Sequence, residues 1–147
     1  MAIRTIVHFE IPAANVERLS RFYHACFGWK FKRVRTPGFD YWLITTGPLG
    51  KSLGGGMYPR SGPEDRPRNF VAVDRIDPAI RKFTAAGGTQ LVGKMEVPGM
   101  GRSFIGADPE GNVIALWEPA MTVPSRPRGS VRRRPTGGRR KALRGRR

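Results

Sequence analysis

Cysteine is almost missing from this sequence: Cys26 is the only one among 147 residues. An intramolecular disulfide and a thiolate zinc cluster are thereby excluded, and nothing points to an oxidising compartment. Histidine is scarce too, with His8 and His24 alone, so any imidazole chemistry rests on one of two positions. No apolar run is long enough to span a bilayer, and Met1-Ala2-Ile3-Arg4-Thr5 lacks the apolar stretch of a signal peptide. A soluble, cytoplasmic protein is the expectation. Acidic residues are absent from Arg126 to Arg147, where ten arginines and Lys141 stand together. The net charge of +16 therefore sits mostly at the C-terminus, and the rest of the chain holds 16 basic against 11 acidic residues.

What is present is a repeated grammar. Apolar and polar residues alternate from Ile3 to Ile11, a half-buried strand that Pro12 should close. Asn15 is placed to cap a helix on which Val16, Leu19, Tyr23, Cys26 and Phe27 recur at helical spacing, Cys26 as packing, until Gly28. Strands follow over Trp29 to Val34, Tyr41 to Thr46 and Leu53 to Tyr58, the glycines 54 to 56 marking a bend or bulge. After a proline- and charge-rich connector, Asn69 to Asp74 reads as a strand and Asp77-Pro78 as the cap of a helix through Ala86. Thr89 to Val97, Arg102 to Ala107 and Val113 to Glu118 are three more strands. The order βαβββ thus occurs twice, over about residues 3–60 and 67–119, and neither copy buries its sheet alone. The expected fold is α+β, a curved, cup-like mixed sheet with helices outside. Residues 1–120 form the domain and 121–147 a tail too poor in apolar residues to order itself.

Four strings carry a resemblance: VHFEIPAANVERLSRFYHACFGWKF from Val7, DYWLITTG from Asp40, GGGMYPR from Gly54 and DPEGNVIALWE from Asp108. Together they resemble the vicinal oxygen chelate superfamily, the glyoxalase, bleomycin-resistance and extradiol-dioxygenase group, over about residues 3–119. The resemblance implies a divalent metal (zinc, nickel, manganese or iron) with His8 and Glu118 as ligands and candidate catalytic groups. Only half of the usual protein ligand set is there, because Tyr58 and Phe70 stand at the other two positions. It also implies a homodimer, with pairing of the units within or between chains left open.

Three roles for His8 and Glu118 stay open: a labile metal site, a metal-free base and acid, or a hydrogen-bonded pair in a cavity wall. Glu10 lies two residues along the strand from His8, on the same face, as an orienter of the imidazole or a rim charge. Trp42, Tyr58, Phe70 and Phe104 are expected to wall the pocket with Glu10, and Trp29, Tyr41 and Trp117 add to the aromatic supply. His24 is expected on a solvated surface without a role. In the tail, Arg132, Arg133, Arg134, Arg139, Arg140 and Lys141 suit nucleic acid or another polyanion by counterion release, without specificity. A solvated tail with no partner fits the same string, which has no aromatic residue for base stacking. Three functions follow: a metal-assisted enzyme on a vicinal-oxygen or carbonyl substrate, a binder of a hydrophobic compound, or a dimeric scaffold carrying a basic tail.

Overall fold

The computed structural model describes residues 4–36 and 38–121; the basic residues of the tail lie outside them. Two βαβββ units follow one another. The first comprises β1 (Ile6–Ala13), α1 (Val16–Phe27), β2 (Lys30–Thr36), β3 (Phe39–Thr45) and β4 (Gly55–Pro59). The second comprises β5 (Arg68–Ala72), α2 (Ile76–Ala85), β6 (Thr89–Val97), β7 (Gly101–Ala107) and β8 (Val113–Pro119). All strands join one curved, open sheet in the order β2-β3-β4-β1-β5-β8-β7-β6. Within each unit the first and last strands run parallel, β1 with β4 and β5 with β8. The units meet in the middle, where β1 and β5 pair antiparallel within the chain.

Alternation along the central strands separates two faces. One carries the helices: Ala13, Ile44 and Met57 pack against Val16 of α1, and Phe104 and Leu116 against Ile76 of α2. The other carries no helix among the described residues; its apolar part is Phe70, Ile105 and Ala115, with Val113 and Trp117 against them.

Local chemistry explains most boundaries. Asn15 caps α1 by accepting from the Arg18 N–H at 2.8 Å, and Gly28 ends it at φ 70, in the left-handed region that favours glycine. The Asp108-Pro109-Glu110-Gly111-Asn112 turn is held by the Asp108 carboxylate, which accepts from the N–H groups of Glu110 and Asn112 and from the Asn112 amide, each at 2.9 Å. These bonds, the Asn112 side chain first, hold the Asp108 carboxyl below its ordinary value.

Four sequence-based expectations need correction. Pro12 does not close β1 but lies inside it, fully buried and opposite Tyr58 of β4. The β1–β5 ladder ends at Glu10 and Arg68, so the missing N–H of Pro12 costs no bond on that side. Cys26 is exposed rather than packed, and Phe27 is 63% exposed, because only the first turns of α1 rest on the sheet. Helix α2 begins at Ile76, not at a cap formed by Asp77, whose carboxylate pairs with Lys94 at 2.7 Å. Finally, Gly55 and Gly56 keep regular register with β3, so the glycine run is no bulge. It makes room: a Cβ on Gly55 would stand 2.5 Å from the Phe9 ring, and one on Gly56 1.8 Å from the Tyr41 hydroxyl.

Candidate functional site

The helix-free face brings together residues from both units. Strand pairing sets His8 opposite Phe70 and Glu10 opposite Arg68, and cross-strand partners share a face. Tyr41 reaches the same spot from β3, its ring lying over Gly56 where no side chain obstructs it.

The polar groups form a chain. His8 Nε2 lies 2.7 Å from the Tyr41 hydroxyl, which donates to Glu10 Oε1 at 3.0 Å. The other Glu10 oxygen accepts from Arg68 Nε and pairs with its terminal nitrogen, both at 2.6 Å. Glu10 and Arg68 side chains are only 10% and 20% exposed, so this ion pair is largely desolvated. The guanidinium also lies over the Tyr58 ring, 4.7 Å from its centroid, and 5.9 Å from that of Phe70. His8 meets Phe70 edge-on at 5.6 Å.

Tyr58 donates to Asp65 at 3.0 Å. Burial is the main cause that pushes the Tyr58 hydroxyl up to about 12, with the Arg68 charge opposing it. Asp65 is held below its ordinary value although burial would raise it, because the Ser61 N–H and hydroxyl and the Tyr58 hydroxyl all donate to it. A cavity of about 320 Å³ opens beside Arg68, between the 61–66 segment and an apolar wall of Leu91, Val92, Ile105 and Val113.

Burial also raises the Tyr41 hydroxyl well above its ordinary value, and the adjacent Glu10 carboxylate adds to it, so Tyr41 keeps its proton. The His8 imidazole is lowered from 6.5, because burial penalises its cation more than Glu10 favours it. An unfolded histidine takes up a proton as pH falls through 6.5, whereas folded His8 resists until a lower pH. The stability contribution is therefore complete above 6.5 and declines as pH falls from there towards the folded value. Urea midpoints compared at neutral and mildly acidic pH should show this loss, and His8→Gln should flatten it.

Glu118 is elsewhere. Its carboxylate accepts from the Ile76 N–H at 2.6 Å, and it follows Trp117, which shares the helix-free face with Phe70. Alternation thus turns Glu118 towards α2 and away from His8. It supplies the helix N-terminus with the acceptor that Arg75, at the N-cap, does not. The sequence-based pairing of these two residues as metal ligands therefore does not fit this geometry. Among the described residues, no three His, Cys, Asp or Glu side chains gather closely enough to hold an ion. Glu118→Ala should cost about 1–2 kcal/mol through the lost cap and leave the His8 side unchanged; denaturant titration with the His8 NMR signal as a second reading checks both.

Of the other expected pocket residues, Glu10, Tyr58 and Phe70 are on the site's face. Trp42 is not: one step out of phase with Tyr41, it pairs with Met57 and packs towards α1, under Arg33. Phe104, out of phase with Ile105, is fully buried beneath α2. His24 is exposed, its ring nitrogen 2.9 Å from the Trp29 carbonyl. Sequence reasoning missed Tyr41 as a site residue and Arg68 altogether. Arg68 stands two residues before Phe70, and that spacing alone would have placed it on the same face.

The sequence profile of the glyoxalase/bleomycin resistance protein/dioxygenase superfamily matches residues 5–116. The chain belongs to this superfamily. Among its relatives, the Mycobacterium bovis protein CFP32, named as a glyoxylase, is 25% identical over 74% of this chain and 43% of its own length. The anthracycline biosynthesis protein DnrV of Streptomyces peucetius is 27% identical over 74% and 45% respectively. The chain thus spans less than half the length of these curated relatives. A superfamily member from Vibrio splendidus 12B01 shares the fold at 12% identity, with a TM-score of 0.56 over 79% of this chain and 98% of that one. A Mn(II)-bound glyoxalase from Novosphingobium aromaticivorans does so at 14% and 0.50, over 80% and 40%. Among the described residues, no helix is long and apolar enough to cross a membrane.

Proposed function

We propose that this superfamily member holds a small oxygen-bearing aromatic molecule on the helix-free face of its sheet, with no metal ion bridging protein and ligand. The observation that carries this reading is the His8–Tyr41–Glu10–Arg68 chain beside Tyr58 and Phe70, a desolvated polar group set in an aromatic surround. Such a surface suits a flat, apolar body with a few polar atoms. The likeness to a protein named for anthracycline biosynthesis supports a polycyclic, oxygenated ligand. A divalent metal on His8 and Glu118 is the competing reading, and the position of Glu118 at the start of α2 disfavours it. The homodimer implied by the family stays part of the proposal.

Titrating a hydroxylated anthraquinone into the full chain and following tryptophan fluorescence tests this reading, with Trp117 on the face concerned. Saturable binding weakened about ten-fold or more by Phe70→Ala is expected. No saturable binding would sink it. So would zinc, nickel, manganese or iron(II) binding at one ion per chain that both His8→Ala and Glu118→Ala abolish, because the metal-assisted enzyme would then be the better account.

A further inference from the structure

We infer that the site takes its ligand through an acidic hydroxyl, a phenol or an enol, which donates its hydrogen to His8 Nδ1. This inference rests on the small-molecule reading above and names the chemical group that the face selects.

The assignment follows from counting protons along the chain. Glu10 is ion-paired with Arg68, so its carboxylate only accepts. One of its oxygens serves Arg68 and the other faces the Tyr41 hydroxyl. That hydroxyl has a single hydrogen. Were it given to His8, Tyr41 Oη and Glu10 Oε1 would sit 3.0 Å apart with no proton between them. Given to Glu10, it leaves Oη free to accept at 2.7 Å, and His8 Nε2 must be the donor. An imidazole that is neutral and protonated at Nε2 carries a bare lone pair at Nδ1.

Among the described residues, Nδ1 has no hydrogen-bond partner. Every fully buried polar side-chain atom among the described residues does have one, so Nδ1 is open to whatever occupies the face. The site thus presents an acceptor, held at a fixed angle by Tyr41, whose own place depends on the space over Gly56. A ligand hydroxyl satisfies that lone pair; a carbonyl or an ether oxygen meets it with another lone pair. If the proton passes across, the ligand O–H breaks, an Nδ1–H bond forms, and Glu10, acting through Tyr41, faces the resulting imidazolium. No other reactant is needed.

Two measurements test this. Long-range nitrogen–proton NMR on the ligand-free chain near pH 7.5 should show His8 with its proton on Nε2 and none on Nδ1. A proton on Nδ1, or on both nitrogens, overturns the inference and leaves the binding reading untouched. In the second, the hydroxylated anthraquinone is compared with its O-methyl ether, and the phenol should bind at least about ten-fold more tightly. His8→Ala should bring that ratio close to one, with weak binding of both compounds to the aromatic surround; His8→Gln gives a second variant if alanine unfolds the chain. Equal affinity of phenol and ether for the unaltered protein overturns the inference alone. Binding of neither compound overturns both this inference and the reading beneath it.

Discussion

Arg68→Ala is expected to destabilise the protein by about 3–5 kcal/mol, the usual cost of stranding one member of a buried ion pair. Arg68 makes both short contacts to one Glu10 oxygen, and the Glu10 side chain is only 10% exposed, so water is poorly placed to take over. Tyr41 cannot compensate, because it has one hydrogen and Glu10 already receives it. Replacing both members by neutral partners, Glu10→Gln with Arg68→Met, should restore much of the loss, since the expense lies in the leftover charge rather than in the missing attraction. Urea denaturation of both single variants and the double variant measures this. A loss below about 1 kcal/mol for Arg68→Ala would mean that the pair behaves as a solvated surface contact.

Phe104→Ala should cost a comparable amount, about 3–5 kcal/mol, by a different route. Phe104 is fully buried between Ile76 and Leu116, and its ring meets Phe83 at 5.7 Å in an edge-to-face arrangement. Alanine would leave a cavity directly under α2, closed on the sheet side by strands that cannot collapse into it. Phe22→Ala, at a side chain 55% exposed on α1, should cost less than about 1 kcal/mol by the same assay. Ligand affinity of the folded fraction should not change in Phe104→Ala. Were it to fall, Phe104 would belong to the pocket wall after all.

Much of this fold was legible in the amino-acid order, because the signals were local. Asn15 and Gly28 bracket α1 through bonds within a few residues, and the Asp108 to Asn112 turn carries its own acceptor. The repeated βαβββ pattern gave the architecture. Facts that depend on which residue faces which across the sheet were less accessible. Alternation on one strand put Glu10 beside His8, but only the β1–β5 register shows that Arg68 meets Glu10. Trp42 and Phe104 look like cavity residues by type, yet one step of phase sends each towards a helix. The sharpest case is Glu118. Its family position suggests a ligand, while its partner is an N–H 42 residues away, at the start of a helix whose own N-cap residue offers no acceptor.

The meeting of β1 and β5 has a further consequence. His8, Glu10 and Tyr41 come from the first unit, Arg68 and Phe70 from the second. A chain cut in the connector would yield one piece holding a base and an unneutralised carboxylate, and another holding the counter-charge and an aromatic shelf. Neither fragment holds the whole polar chain from His8 to Arg68, and only their docking assembles it. Mixed together, the halves would report their own reunion: recovery of the His8 signal, or of ligand affinity, would rise with the fraction rejoined along that central seam.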